Sequence, residues 1–359
     1  KILCSRRMVD CPRVLGVLLL LGSLYLALCL DKAGVQRPIE SVVVFRQQEA
    51  NYSCYRIPAL VRLPTGELAL YAEARKFSCG DSGHIDLVYR LSADNGTTWG
   101  PIRLLHGEST DEKHVTIGNP APVIVDGRVL LTFSRDNHQI LTLKSEDAGG
   151  RVWPSTPLEI TEQIFNASSV HWVATGPPGA LLTSAGRVLV PFNSNGAAGT
   201  LISDDGGATW TKSNMIPFGN EGQVAETQDG VLVLNLRANP FGENFRLISK
   251  SKDGGSTWSH PKKWRGTGSE CEGSMVSVHR ASDGINGLVF SHNNGPKGRF
   301  NLTLWWSADD GSSWTQLRDL DPSHESAYSS LLRHNGTHVA VAYERGFSEI
   351  RVGFAPLDP

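Results

Sequence analysis

The sequence lacks an excess of charge of either sign, and it lacks the short motifs that mark metal or nucleotide chemistry. Its 34 Lys and Arg residues nearly balance 36 Asp and Glu residues, for a formal net charge of −2. This balance argues against a general nucleic-acid binder, so any charged ligand must meet a local patch. There is no Cys-x-x-Cys, no His-Glu-x-x-His and no Gly-x-x-x-x-Gly-Lys loop. The sequence therefore predicts neither a metal nor a cofactor.

Charged residues are also scarce, at 19% of the chain, whereas 37 Gly, 19 Pro and 9 Trp are present. The 40% of hydrophobic residues can build a large core, which excludes a disordered or collagen-like chain. Few charges combined with many Gly, Pro and Trp favour short strands joined by turns. A chain of 359 residues could hold two domains, but all-β folds of this size often form one.

The N-terminal segment has the pattern of a targeting sequence. Three arginines precede an uncharged apolar run of 17 residues, 14–30, which is the lower limit for a membrane span and slightly long for a signal-peptide core. We expect residues 1–30 to be a cleaved signal peptide or a signal anchor. Residues 31–359 should then form one domain that enters the secretory pathway.

Glycosylation sequons and cysteines fit that expectation. Five Asn-x-Ser/Thr sequons are present, at Asn51, Asn95, Asn166, Asn301 and Asn335. Beyond the leader the cysteines are Cys54, Cys79 and Cys271. Their odd number requires an unpaired thiol or an intermolecular bond, and the sequence leaves open which of them pair.

An internal repeat indicates the architecture. The motif Ser-x-Asp-x-Gly-x-Thr/Ser-Trp occurs at 92–99, 203–210, 251–258 and 307–314, with a degenerate copy at 145–153. Successive copies start 48 to 58 residues apart, within the range of propeller blades. Asp and Gly suit a tight turn, and the Trp is expected to anchor that turn in the core.

A second series of turns alternates with these boxes. Its members are Gly-containing pairs at 65–66, 126–127, 185–186, 229–230, 286–287 and 335–336. Six turns and five boxes predict an all-β fold, a six-bladed β-propeller of four-stranded antiparallel blades. The strand-like segment 41–45 should complete the sixth blade and close the ring.

Strand ends opposite these turns should meet at one mouth of the propeller. Counting one strand length from each turn brings together Arg56, Arg75, Asp81, Glu221, Arg237, Arg299, Tyr328 and Glu344. Several arginines around one pit imply a small anionic ligand, most simply a carboxylate.

At these residues the chain resembles a known family. The segment 55–58, Tyr-Arg-Ile-Pro, resembles the (F/Y)RIP motif of exo-α-sialidases, and the boxes resemble their Asp boxes. Segments 73–76, 301–304 and 328–331 look closest to the lysosomal sialidase (sialidase-1) branch. The resemblance covers residues 42–346. It implies hydrolysis of terminal α-linked sialic acids from glycoproteins, oligosaccharides and glycolipids, a lysosomal location, and a protective cathepsin A-like carboxypeptidase as partner.

The resemblance also implies roles for the arginines and their neighbours. Arg56, Arg237 and Arg299 match the triad that clamps the sialic acid carboxylate. Glu344 matches the acid that orients Arg56. Arg75, with Glu73 on the same strand face, matches a further sugar-contacting position.

For catalysis, the resemblance implies a retaining mechanism through a tyrosyl–glycosyl intermediate on Tyr328. A neutral phenol is not repelled by the substrate carboxylate, but its pKa of ~10 requires a neighbouring base. Glu221 matches that base, and Asp81 matches the general acid/base. Alternatives remain open: Glu226 could replace Glu221, Tyr328 could be a core tyrosine, and the protein could be a sialic-acid lectin or a trans-sialidase.

Overall fold

The computed structural model describes residues 38–166, 170–238, 245–266, 271–295 and 298–358. Residues Pro38–Pro359 form one compact unit. The predicted leader, 1–30, lies outside the described residues, so its cleavage stays a prediction. None of the helices in the described part combines the length and apolar character needed to cross a membrane.

The described chain is almost entirely β-structure, arranged in antiparallel groups that follow one another along the sequence. The first group contains β2 (Cys54–Arg62), β3 (Leu68–Arg75), β4 (Ile85–Ser92) and β5 (Arg103–His106). The second contains β6 (Ile117–Val125), β7 (Arg128–Arg135), β8 (Gln139–Lys144) and β9 (Leu158–Glu159). The third contains β10 (Val173–Thr175), β11 (Leu181–Leu182), β12 (Val188–Ser194), β13 (Ala197–Ser203), β14 (Thr211–Lys212) and β15 (Ile216–Pro217).

The second half of the chain continues the pattern. The fourth group contains β16 (Gly219–Glu226), β17 (Leu232–Ala238), β18 (Arg246–Ser251) and β19 (Lys262–Trp264). The fifth and sixth share β23 (Thr315–Arg333), whose start pairs with the fifth and whose end pairs with the sixth. The fifth adds β20 (Ser274–His279), β21 (Asn286–Asn293) and β22 (Phe300–Ser307). The sixth adds β24 (His338–Arg345), β25 (Glu349–Pro356) and β1 (Ser41–Arg46). A 3₁₀ turn, Glu49–Asn51, and helix α1, Thr161–Ile164, complete the described elements.

The N-terminal strand closes the arrangement as expected. Strand β1 pairs antiparallel with β25, so that Ser41 lies opposite Gly353 and Arg46 opposite Glu349. The first and last described strands therefore share one sheet, in which β1 covers the edge that β25 would otherwise expose. The hydrophobic core is packed between neighbouring groups.

The repeated boxes form the tight turns that their residues predict. In four boxes the Ser hydroxyl donates to the Asp carboxylate at 2.7–2.9 Å and accepts the Gly N–H at 2.8–2.9 Å. In the degenerate copy Asp147 still accepts two backbone N–H groups at 2.8 Å each. Of the five box tryptophans, Trp210 and Trp258 are buried and the other three are half-buried against the core, so full anchoring holds only for those two.

One of the predicted turns is misplaced. Gly287 lies inside β21, opposite Val278, and the chain reverses at residues 280–285 instead. The Asp283 carboxylate accepts the N–H of Ile285 at 3.1 Å, and Gly284 takes the positive φ of +70°. An Asp-Gly pair three residues earlier therefore supplies the turn chemistry that was assigned to Asn286-Gly287.

Candidate active site

A cavity of about 470 Å³ opens where β2, β16 and the end of β3 come together. Of the eight residues expected at the mouth, the following line it: Arg56, Arg75, Asp81, Glu221, Arg237, Arg299 and Tyr328. Glu73, the supporting residue of Arg75, also lines the cavity. The eighth expected residue, Glu344, lies directly behind Arg56.

Glu344 holds Arg56 from behind. Its two carboxylate oxygens accept hydrogen bonds from Nε and Nη2 of Arg56 at 3.0 and 2.9 Å. The same carboxylate accepts the backbone N–H of Ile57 at 2.8 Å, where a bulge interrupts the β2–β3 register and φ is +58°. Glu344 is only 1% exposed. This bidentate contact fixes the guanidinium plane of Arg56 and turns its remaining nitrogen toward the cavity.

A second set of charges surrounds Arg75. Glu73 accepts hydrogen bonds from Arg75 at 3.0 and 2.6 Å, and its other oxygen accepts the N–H of Asn119 at 2.8 Å. On its opposite side Arg75 Nη1 donates to Asp81 Oδ1 at 2.7 Å. Arg56 Nη1 lies 3.6 Å from that same oxygen. Asp81 is thus shared by two arginines.

The charge state of Asp81 follows from this setting. Partial burial on its own would raise the pKa of the carboxyl group, but Arg75 and then Arg56 outweigh it and hold the pKa below the usual 3.8. The Asp81 side chain is nevertheless 80% exposed. In the free site Asp81 is therefore an accessible carboxylate that lines the cavity.

Tyr328, Glu221 and Arg237 form a hydrogen-bonded chain. The Tyr328 hydroxyl donates to Glu221 Oε1, and Arg237 Nη1 donates to Glu221 Oε2 at 2.8 Å. Burial and then the Glu221 charge raise the pKa of Tyr328 well above 10.0. Tyr328 is therefore a neutral phenol whose proton already points at a carboxylate.

Two alternatives are wrong in this geometry. The Glu226 carboxylate accepts hydrogen bonds from the backbone N–H and the hydroxyl of Ser184, both at 2.7 Å, at the far end of β16 and in a different cavity. It cannot act as the base for Tyr328. Nor is Tyr328 a purely structural core residue, because it lines the cavity and its hydroxyl ends at Glu221.

The arginines stack around the Tyr328 ring. Arg56 Cζ lies 5.2 Å from the ring centroid and Arg299 Cζ lies 5.7 Å from it. Arg299 comes just before β22, as expected, and its carbonyl accepts the N–H of Ser326 at 2.7 Å. The phenol is thus surrounded by cations, which favour an anionic ligand group beside it.

Several cavity residues were not anticipated from the sequence. Trp172 is 47% exposed, lines the cavity and donates from Nε1 to Asn193 Oδ1 at 3.2 Å. No sequence pattern marked Trp172, because it lies outside the boxes. Glu272, by contrast, is reached by the count of one strand length from the turns, and it accepts the N–H of Ser329 at 3.0 Å. The uncharged polar residues of the lining also include Asn119, which the same count reaches, and the following residues, which it does not: Thr116, Asn137, Asn193, Asn195 and Asn220.

The structure resolves the cysteine pairing. Cys54 and Cys79 form a disulfide with Cα atoms 5.3 Å apart, while Cys271 is a buried free thiol. Among the described residues, no group of three or more His, Cys, Asp or Glu side chains could hold a metal ion.

The sequons differ in accessibility. Asn51, Asn95, Asn166 and Asn335 are exposed, while Asn301 is half-buried in β22. Their glycosylation stays a prediction.

The fold and the charged cavity together define a β-propeller whose mouth is lined by four arginines. Residues 70–341 match the BNR repeat-like domain family. The sialidase of Bacteroides fragilis (strain YCH46) is 31% identical over 335 residues, 82% of this chain and 60% of the relative. Sialidase-3 of Rattus norvegicus is 31% identical over 281 residues, 66% of this chain and 65% of the relative. The chain therefore spans less than two thirds of the length of either relative.

Solved sialidase structures superpose on this fold. The Hadza microbial sialidase Hz136 superposes with a TM-score of 0.79 at 27% identity, over 88% of this chain and 68% of that one. The leech intramolecular trans-sialidase superposes with a TM-score of 0.71 at 18% identity, over 90% and 71%, which shows the fold alone. The all-β propeller prediction is confirmed. The chain belongs to the sialidase family with a BNR repeat-like domain.

Proposed function

We propose that this protein is an exo-α-sialidase, a retaining glycoside hydrolase that releases terminal α-linked sialic acids from glycoproteins, oligosaccharides and glycolipids. One observation carries the proposal: the neutral Tyr328 phenol donates to Glu221 within a wall of arginines. A carboxylate nucleophile would be repelled by the substrate carboxylate, whereas a phenol activated by a base would not. Sialidase relatives support the same activity.

In the proposed complex the substrate carboxylate binds Arg56, Arg237 and Arg299 by charge-assisted hydrogen bonds. Glu344 keeps the Arg56 fork in plane. The bound anion also changes Asp81, because it neutralises part of the positive field that holds the Asp81 pKa low. Substrate binding thus raises the proton affinity of Asp81, so that the exposed carboxylate takes up a proton from solvent and can then act as an acid.

Bond exchange then follows from the contacts. The Tyr328 oxygen attacks the anomeric carbon while Glu221 takes the phenolic proton, and Asp81 protonates the departing glycosidic oxygen. In the second half Asp81 takes a proton from water, which attacks the same carbon, and Glu221 returns its proton to the departing Tyr328 oxygen. Two displacements at one carbon give net retention.

The proposal is tested with the glycosylated chain and 4-methylumbelliferyl sialoside. Release of the fluorophore, with the α-anomer of free sialic acid first in the proton NMR spectrum, would support a retaining sialidase. An inactive protein that binds sialoside would instead indicate the lectin alternative. Transfer of sialic acid to added lactose, in preference to hydrolysis, would indicate the trans-sialidase alternative.

We also propose that the protein belongs to the lysosomal sialidase-1 branch. This assignment implies a role in ganglioside catabolism, residence in the lysosome and a cathepsin A-like partner. The motif segments 73–76, 301–304 and 328–331 support the branch. The Cys54–Cys79 disulfide and the exposed sequons support passage through an oxidising secretory compartment. Any membrane contact would run through residues 1–30. Mannose-6-phosphate-sensitive lysosomal uptake and co-precipitation with cathepsin A would support these assignments, and a fully secreted, partner-free enzyme would contradict them.

A further inference from the structure

The Cys54–Cys79 disulfide joins the start of strand β2 to the loop that carries Asp81. Cys54 is the first residue of β2, two positions before Arg56, and it lies opposite Arg75 in the β2–β3 register. Cys79 lies in the loop 76–84, two positions before Asp81. The bridge therefore ties the acid-bearing loop to the strand that carries the carboxylate clamp.

Cys79 also contacts Arg75, the residue that is hydrogen-bonded to Asp81. The Cys79 carbonyl accepts a hydrogen bond from Arg75 Nη1 at 2.6 Å, and this same nitrogen donates to Asp81 Oδ1 at 2.7 Å. Arg75 itself is buried and fixed by Glu73. The Cys79 carbonyl and the Asp81 carboxylate therefore lie beside the same nitrogen of Arg75, so the position of Cys79 helps to determine the position of Asp81.

The ends of this loop are fixed, because the Lys76 N–H donates to the His84 carbonyl at 3.0 Å and the Thr116 hydroxyl bonds to both the N–H and the carbonyl of Gly83. The tip between these ends is more open to solvent. Phe77, Ser78, Gly80, Asp81 and Ser82 are all exposed. The exposed tip has to be fixed against its conformational entropy. A general acid must stay within hydrogen-bond reach of the departing oxygen, and a misplacement of about 1 Å can cost on the order of 10²-fold in rate.

We propose that the Cys54–Cys79 disulfide is a positioning element for Asp81, and that leaving-group protonation depends on the intact bridge. The inference rests on the proposed function. It has a specific consequence for substrates. A sugar alkoxide leaves poorly unless its oxygen is protonated, whereas methylumbelliferone leaves as a stable phenolate. Loss of the bridge should therefore impair natural sialosides selectively and leave activated aryl sialosides nearly unaffected.

The experiment compares two substrates, 3′-sialyllactose and 4-methylumbelliferyl sialoside. In the Cys54→Ala/Cys79→Ala protein, kcat/KM for sialyllactose should fall roughly 10- to 100-fold, while kcat/KM for the aryl sialoside should change less than about threefold. Asp81→Ala serves as the benchmark: it should lower kcat/KM for sialyllactose even further, and it should again affect the aryl sialoside less. Asp94→Ala is the matched control, because Asp94 lies in the box that follows β4 in the same group of strands. It removes a turn contact and should leave the ratio of the kcat/KM values for the two substrates unchanged.

A second arm uses the unmutated protein. A water-soluble phosphine reduces the bridge: the S–S bond breaks, each sulfur gains a proton, and the phosphine takes the oxygen of one water. Counting free thiols follows the reduction. The reduced enzyme should show the same selective loss, and reoxidation should restore the activity on sialyllactose.

The outcomes are distinguishable. If the unmutated protein cleaves neither substrate, the proposed function fails. If it cleaves both and bridge removal lowers both rates equally or neither, the positioning role is overturned. An unfolded double variant together with a bridge that resists the phosphine would also overturn it, because the disulfide would then stabilise the propeller rather than the loop.

Discussion

Glu221 accepts the Tyr328 hydroxyl through one carboxylate oxygen and Arg237 through the other, at 2.8 Å. The same carboxylate is thus hydrogen-bonded on both oxygens before any substrate arrives. Because Arg237 also faces the cavity, substrate binding and activation of the phenol share one residue in the proposed mechanism. This coupling is the basis of the first three predictions.

Replacing Tyr328 with Phe removes one oxygen and leaves the ring between Arg56 and Arg299. We expect kcat on 4-methylumbelliferyl sialoside to fall on the order of 10³-fold or more, since no other nucleophile takes its place. Substrate affinity, measured by calorimetry, should change little because the arginine clamp is retained. A variant that keeps wild-type kcat would exclude the tyrosyl intermediate.

Glu221 and Glu226 provide a matched pair on β16. Glu221→Gln keeps the shape of the side chain but removes the base, and it should lower kcat about 10²- to 10⁴-fold. Glu226→Gln should stay within about twofold of wild type, because Glu226 binds Ser184 at the other end of the strand. Steady-state kinetics of the two variants at one pH decide the assignment, and equal losses would refute it.

Arg237 and Arg299 should differ in the kinetic parameter that they affect. Arg299 stacks on Tyr328, so Arg299→Ala should mainly raise KM, by roughly 10- to 100-fold for a lost charge-assisted hydrogen bond worth about 1.5–3 kcal/mol. Arg237→Ala should raise KM and also lower kcat, because Glu221 loses its partner. Initial-rate measurements over a range of substrate concentrations separate the two parameters. Identical effects of the two substitutions would contradict the coupling through Glu221.

The sequence was informative where structure is local. Each box is a self-contained turn whose Ser, Asp and Gly bond to one another within a few residues, so its position follows from the motif alone. Counting a strand length from each turn then located the mouth. Counting strand lengths located Arg299 correctly even though the neighbouring turn was misplaced at Asn286-Gly287. Arg299 lies just before β22, and the position of this strand follows from the last box.

What the sequence could not supply depends on contacts between distant segments. Neither Cys54 nor Cys79 indicates its partner, because the bridge exists only once β2 and β3 pair. Trp172 reaches the cavity from an irregular segment before β10 that no repeat constrains. Glu226 stayed open as an alternative to Glu221 until their placement at opposite ends of β16 separated the two carboxylates.

The box aspartates should make the fold sensitive to acid. Asp94, Asp205 and Asp253 each accept hydrogen bonds from the hydroxyl and the N–H of the Thr four residues later, and these contacts lower each pKa from 3.8 to about 2. A pKa that is depressed in the folded state adds stability that is complete above the unfolded value and is lost as the pH falls through the folded one. The melting temperature should therefore hold from about pH 6 to about pH 4 and fall steeply toward pH 2. Asp205→Asn should melt lower than wild type near pH 6, and this difference should shrink toward pH 2, because the wild-type carboxyl loses its charge as the pH approaches its pKa of about 2. A difference that stays constant across that range would mean that the turn needs the side-chain shape and not its charge.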